Sequence, residues 1–168
     1  WLETRASPTK KLPELFTQTD SPQLRAIIVD AIKEVADDKL ETALPLWTQA
    51  QTIFKFTSAE RGEVESRLGM WEAWRHNDDG LQRLKRIAVA DRTKEGNVWL
   101  ARLAMRLQDW PALLESSIAL EAAEGSDDEW DTWFYWQARS LEKLKQTAEA
   151  QTVYERLAKN STYYGFLA

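Results

Sequence analysis

The chain has 168 residues, with 27 acidic and 22 basic side chains, a formal net charge of −5 and no cysteine. The lack of thiols excludes disulfide bonds and thiolate metal sites, and an acidic balance without a basic stripe does not support nucleic-acid binding. No apolar run is long enough to span a bilayer.

Helix-forming residues dominate the sequence, which has only six glycines and five prolines. No segment shows the sustained apolar–polar alternation that indicates a strand. The first clear helix begins at Ser21-Pro22, an N-cap followed by proline at the first helical position. A second helix carries an apolar stripe from Leu40 to Phe54. Pro45 lies inside that stripe and predicts a kink or a late helix start.

Capping signals place the helices that follow. Thr57 and Glu60 have capping-box spacing and predict a helix that ends near 77–80. Asp109-Trp110-Pro111 marks a helix break and a new N-terminus, and 125–128 is predicted to be a loop. Further helices are predicted from Leu81 to Ala90, from near Lys94, from Trp110, over 130–144, over 148–160 and from near Ser161.

Polar turns recur along the chain. The turns at 37–38, 78–79, 108–109 and 145–146 can be superimposed, with steps of roughly 31 to 41 residues, which is typical of helical-hairpin repeats. Identities between units are too few for a strict tetratricopeptide repeat. The pattern predicts an all-α, irregular α-solenoid or superhelix of stacked helical hairpins, similar to tetratricopeptide repeats. A compact helical bundle is the alternative.

The stretch from Trp130 to Leu144 is unusually rich in aromatic residues. On a helical wheel, Trp133 and Phe134 lie with Trp130 on one wide packing face, which Tyr135 and Trp136 flank. Packing in the core or between repeats is one interpretation of these rings, with Gln137 as a nearby acceptor for an indole N–H. Stacking of an exposed ring on the C–H groups of a sugar is the other.

Three segments carry a resemblance to a known family. They are the run Trp-Phe-Tyr-Trp-Gln-Ala-Arg at 133–139, the pattern Ala150, Tyr154, Leu157, Ala158, and the final 163–168. In this order they resemble the soluble lytic murein transglycosylases, in the helical stretch before the catalytic domain. The hairpin at 20–51 also resembles the superhelical region of that family.

The resemblance implies a periplasmic protein of Gram-negative bacteria. Such enzymes cleave the β-1,4 bond between N-acetylmuramic acid and N-acetylglucosamine without water, leaving a 1,6-anhydromuramyl end. An α-superhelix guides peptidoglycan strands to a lysozyme-like domain. The implied division is a superhelical segment at 1–129 and a linker-like hairpin at 130–168 leading to a catalytic domain beyond it. The alternative is a tetratricopeptide-like protein-interaction module.

The helical wheel and the resemblance together suggest roles for individual residues. Arginines facing the strand could meet carboxylates of its stem peptides, although solvated arginines or ion pairs are the alternative. The substrate-binding candidates are Arg102, Arg106, Tyr135, Trp136 and Arg139. Structural roles fall to Trp130, Trp133, Phe134, Tyr154, Tyr164 and Phe166.

No catalytic, metal or cofactor site is predicted. Glu65-Ser66 and Glu115-Ser116 match the Glu-Ser dipeptide of the family's active site, but the run Gly-Ala-x-Gly-Leu-Met-Gln does not follow, so both pairs are interpreted as solvated. His76, the only histidine, is expected at a helix C-terminus, where a cation is favourable. The acidic group at 127–131 is interpreted as helix capping rather than a calcium loop.

Overall fold

A computed structural model describes residues 8–122 and 127–168, and the side chains of 8–122 and 130–168. Over this part of the chain every regular element is a helix, which confirms the all-α prediction. Of the predicted loop at 125–128, residues 125–126 lie outside the described residues, and 127–128 are helical rather than loop. The α-helices are α1 Pro8–Leu15, α2 Pro22–Asp38, α3 Leu40–Ile53, α4 Ser58–Trp74, α5 Asp79–Arg86, α6 Lys94–Leu107, α7 Trp110–Ala122, α8 Asp127–Lys143, α9 Thr147–Leu157 and α10 Tyr163–Leu167.

The chain divides into two units, Trp1–Thr93 and Lys94–Ala168. In the first unit, α2 packs against α1, α3 and α4, and α4 also packs against α5. Apolar side chains at spacings of three and four fill the space between these helices. The fully buried ones include Leu12, Ile28, Ile32, Trp47 and Leu68.

In the second unit, each helix packs mainly against the next one in the chain. The extensive contacts join α6 to α7, α7 to α8, and α8 to α9, while α10 lies against α8 and α9. A four-helix bundle would also bring the first and fourth helices together. Packing in series is the arrangement expected of stacked hairpins.

Both predicted N-caps of the first unit are present. The Ser21 hydroxyl accepts a hydrogen bond from the backbone N–H of Leu24 at 3.2 Å. Thr57 and Glu60 form the reciprocal capping box at the start of α4. These side chains bind N–H groups that have no partner within the helix, so they fix where α2 and α4 begin.

Three of the four superimposed turns share one backbone motif. His76, Gln108 and Lys145 each adopt a left-handed conformation, with φ of 60°, 57° and 64°. In each turn the next N–H bonds to a carbonyl five residues earlier, as Gln146 does to Leu141 at 2.8 Å. This is the Schellman ending of a helix. The turn after α2 differs, because Lys39 is extended. His76 lies at the end of α4, as predicted.

Lys145→Gly is expected to raise the free energy of unfolding by about 0.5 kcal/mol. A side chain in the left-handed region costs roughly 1–2 kcal/mol, and the greater freedom of glycine in the unfolded chain offsets part of that gain. Urea denaturation measures the difference. Gln146→Gly is the matched control, because Gln146 has φ of −91°. That substitution should destabilise the chain, and equal effects at the two positions would contradict the argument.

Several element boundaries differ from the sequence prediction. Helix α1 was not predicted. Helix α3 begins at Leu40 and continues through Pro45, so there is no late start. The helix predicted to reach Ala90 ends at Arg86 and is followed by a 3₁₀ turn at Val89–Asp91. Helix α10 begins at Tyr163, with Thr162 as its N-cap. Among the described residues, no helix combines the length and the apolar character that crossing a bilayer requires.

Candidate functional site

Helix α8 buries one of its aromatic faces. Trp133, Phe134 and Leu141 are buried against neighbouring helices. Trp130 lies edge-on to Phe134, with ring centroids 4.8 Å apart. The guanidinium of Arg156 covers the ring of Phe134 at 4.6 Å. These rings therefore hold α8 in place and leave little surface for a ligand.

Gln137 does not accept the hydrogen bond that the sequence suggested. The indole N–H of Trp133 and the side-chain oxygen of Gln137 are both buried, and neither has a hydrogen-bond partner among the described residues. The two residues are four positions apart on α8. A shared packing face therefore did not bring this donor and this acceptor into hydrogen-bond geometry.

The other side of α8 carries a cluster of rings that reach solvent. We call Tyr135, Trp136, Tyr154, Tyr163 and Tyr164 the aromatic surface. Tyr135 is central, with its ring 5.6 Å from Trp136, 6.2 Å from Tyr154 and 5.2 Å from Tyr164. Tyr163 lies 5.2 Å from Tyr164 and is 71% exposed. The other four rings are half-buried, so the cluster has partly fixed rings with accessible faces.

Polar groups lie beside these rings. The Tyr154 hydroxyl donates to the Glu142 carboxylate at 3.0 Å, and Arg139 donates to the same oxygen at 2.8 Å. Partial burial and the bond to Glu142 raise the pKa of Tyr154 to about 12. Burial alone would lower the pKa of Arg139, but Tyr154 and Glu142 raise it. Tyr154 therefore remains a neutral donor and Arg139 a cation at any physiological pH.

A buried carboxylate joins the last helix to the start of α8. Asp131 is 2% exposed and accepts hydrogen bonds from Asn160, at 2.7 Å, and from the Thr162 hydroxyl. The Thr162 hydroxyl in turn accepts from the backbone N–H of Gly165. A side chain at Gly165 would overlap the carbonyl oxygen of Asn160. This network positions Tyr163 and Tyr164 in the aromatic surface.

The remaining candidates are not members of the aromatic surface. The guanidinium of Arg102 lies over the ring of Trp99 at 4.8 Å. Arg106 is exposed in the last turn of α6. Phe166, assigned a structural role, is 84% exposed, so its ring is not part of the core of the described residues. Of the five substrate-binding candidates, the structure brings together Tyr135, Trp136 and Arg139.

The first unit holds an ion-pair network that the sequence did not indicate. Arg83 donates to Glu65 at 2.5 Å and to Glu72 at 2.8 Å, and the other oxygen of Glu65 accepts the indole N–H of Trp47 at 2.6 Å. Burial alone would lower the pKa of Arg83, but the bond to Glu72 and the charge of Glu65 raise it. The partners are 11 and 18 positions apart, and no sequence motif has those spacings.

The interpretation of both Glu-Ser pairs as solvated is wrong for the serines, whereas Glu115 is exposed and Glu65 is half-buried. Ser66 is 2% exposed and Ser116 is fully buried. Ser66 accepts a hydrogen bond from the backbone N–H of Thr93, while the Ser116 hydroxyl donates to carbonyls one turn earlier in its own helix. Both serines lie on the packing side of their helices. Their burial is tolerated because each hydroxyl has a hydrogen-bond partner.

The arrangement offers groups that are suited to binding. A general acid for glycoside cleavage needs a carboxyl group in an apolar cleft, whereas the Glu65 carboxylate binds a guanidinium and an indole N–H. No group of three or more acidic or histidine side chains in the described residues could hold a metal ion. Aromatic faces beside polar donors and acceptors are suited to contact with sugars or peptides.

No protein-family model matches the chain. No curated protein sequence matches it either. Among solved structures, the chain is similar to an inactive mutant of the lytic transglycosylase Slt from Pseudomonas aeruginosa, with a TM-score of 0.69 and 25% identity. The match covers 98% of this chain and 26% of that enzyme, so the chain spans about a quarter of its length. The structural match agrees with the resemblance to the lytic transglycosylases that the sequence indicated.

Proposed function

We propose that this relative of the lytic transglycosylases is the non-catalytic superhelical scaffold of a peptidoglycan-cleaving enzyme and binds murein glycan strands. The observation that carries the proposal is the aromatic surface beside Arg139 and Glu142. Aromatic faces present a negative quadrupole to the polarised C–H groups of a sugar ring. Arg139 and Glu142 offer a donor and an acceptor to hydroxyl and amide groups along the strand.

The parent protein would supply the chemistry. It would cleave the β-1,4 bond between N-acetylmuramic acid and N-acetylglucosamine and leave 1,6-anhydromuramyl ends. The hairpin at 130–168 would lead to the lysozyme-like catalytic domain, and the protein would act in the periplasm, where murein lies. The chain itself should release no muropeptides from purified sacculi, and detection of anhydromuropeptides would contradict this assignment.

Replacing both Tyr135 and Trp136 by alanine should weaken retention on purified sacculi about tenfold or more. Two aromatic contacts of about 0.5–1.5 kcal/mol each are lost, and 1.4 kcal/mol corresponds to a factor of ten. A sacculus pull-down over a range of protein concentrations measures the loss. Far-UV circular dichroism of both proteins establishes that the helices remain folded.

Trp74→Ala is the matched control for this experiment. Trp74 is 59% exposed but belongs to the first unit and is not one of the rings of the aromatic surface. Its replacement should leave retention unchanged, and an equal loss in the control would show non-specific adhesion through exposed rings. A tetratricopeptide-like module for a protein partner predicts a different result, because the unmodified chain would then stay in the supernatant.

A further inference from the structure

The first unit contains a cleft that none of the aromatic-surface residues lines. This cleft lies between α4, α5 and the 3₁₀ turn and has a volume of about 690 Å³. Ligand pockets are typically about 300–1,000 Å³. Its lining is Ser58, Arg61, Gly62, Glu65, Glu72, Asp79, Gln82, Arg83, Arg86, Ile87, Ala88 and Asp91. None of these residues is aromatic, so a sugar ring would find no stacking partner there.

One of the three arginines in the cleft is already neutralised. Arg83 lies between Glu65 and Glu72 and bonds to both, and Glu72 is only 4% exposed. A half-buried guanidinium held by two carboxylates has little capacity for a further anion. This network fixes the shape of the cleft and leaves recognition to the other charged groups.

Four charged side chains at the rim of the cleft have no such partners. Arg61, Arg86 and Asp79 are exposed and Asp91 is half-buried. Within the part of the chain that the structure describes, none of the four side chains forms an ion pair or a hydrogen bond. Two guanidinium groups and two carboxylates therefore face one cavity without neutralising each other, so the cavity presents charge of both signs to a ligand.

We infer that this cleft binds a short peptide that carries both free carboxylates and a free amine. Guanidinium groups pair with carboxylates in a bidentate geometry, and the two aspartates are suited to an ammonium group. The lining has three basic and four acidic side chains, which disfavours a polyanion such as a nucleic acid. If the proposed function holds, the peptide is the stem peptide of the murein, and this identification alone rests on that proposal.

Isothermal titration of the full chain with free L-alanyl-γ-D-glutamyl-meso-diaminopimelic acid tests the inference. The unmodified chain should bind the peptide, and the double variant R61Q/R86Q should bind it at least about tenfold more weakly, an effect that grows as the salt concentration falls. Both arginines are exposed, so the variant should fold normally. Absence of binding to the unmodified chain, or equal binding by the variant, would overturn the inference.

Two controls separate specific recognition from general charge effects. K10Q/K39Q removes two exposed lysines of the same unit that do not line the cleft, and it should leave binding unchanged. D79N/D91N should weaken binding of the free peptide but not of its N-acetylated form, in which every amine is blocked. A D79N/D91N variant that weakens both peptides equally would contradict recognition of the amine.

The two proposals fail in different experiments. The double alanine variant at Tyr135 and Trp136 should bind the free peptide as the unmodified chain does, because those residues lie outside the cleft. Peptide binding without retention on sacculi would overturn the glycan proposal but would still support the peptide site. Retention on sacculi without peptide binding would overturn the peptide site alone.

Discussion

Arg83→Met should lower the free energy of unfolding by about 3 kcal/mol, the lower end of the usual cost of removing one partner of a buried ion pair, because the Arg83 side chain is only half-buried. The substitution leaves the carboxylate of Glu72, which is 4% exposed, without its guanidinium partner. Glu65 loses a partner as well but keeps its bond to the indole N–H of Trp47. Thermal unfolding should shift by about 10 °C, at roughly 2–4 °C per kcal/mol for a chain of this size.

Two variants separate the buried charge from simple loss of contacts. R83M/E72L replaces both partners by apolar side chains and should recover most of the stability, as buried pairs often do. Arg75→Met removes an arginine whose partner Glu41 has a side chain that is 65% exposed, and it should cost less than about 1 kcal/mol. A double variant as unstable as the single one would show that packing, not charge, accounts for the loss.

Gly62→Ala should destabilise the chain by about 2 kcal/mol, although alanine is the better helix former. Helix propensity alone predicts a gain of about 1 kcal/mol inside α4. The added methyl group, however, would overlap the backbone carbonyl of Asp91, and the backbone at that contact must move. Overpacking typically costs about 1–3 kcal/mol, and a clash with backbone atoms belongs at the upper end, so a net loss of about 2 kcal/mol remains after the gain in helix propensity.

The next residue of the same helix provides the comparison for Gly62. Glu63 is exposed and pairs with Lys33 at the surface, so Glu63→Ala should change the free energy of unfolding by less than about 1 kcal/mol. Urea titration of both variants at one protein concentration measures the contrast. A stabilised Gly62→Ala variant would mean that the 3₁₀ turn at Val89–Asp91 moves away at little cost.

Local signals were sufficient to predict much of the fold. The caps at Ser21 and Thr57 and the apolar spacings behind them depend on residues within four positions, so the sequence contains them directly. The left-handed conformations of Gln108 and Lys145 were not predicted. Neither residue is a glycine, and each conformation depends on the hydrogen bonds that end the helix. Helix α1 was missed because eight residues give a weak periodic signal.

The candidate site was predicted less completely, and the reason is distance along the chain. Tyr135, Trp136 and Arg139 lie on one helix, so a helical wheel is enough to predict their relative positions. Tyr154 and Tyr164 come from two other helices, so their contacts with Tyr135 depend on tertiary packing. The network around Arg83 depends on the packing of α3, α4 and α5, and each member alone resembles an ordinary surface charge.

The bonds made by Asp131 have a consequence for how the aromatic surface is maintained. Helix α10 has only five residues, too few to be stable in isolation. The Asp131 carboxylate of α8 holds its N-terminal end through the Thr162 hydroxyl. A segment held by so few interactions can open locally while the rest of the protein remains folded. Tyr163 and Tyr164 would then leave Tyr135 without global unfolding, and hydrogen exchange would detect the opening as early loss of amide protection after residue 162. If the surface binds a strand as we propose, a local equilibrium rather than the stability of the whole chain sets how much of it is available for binding.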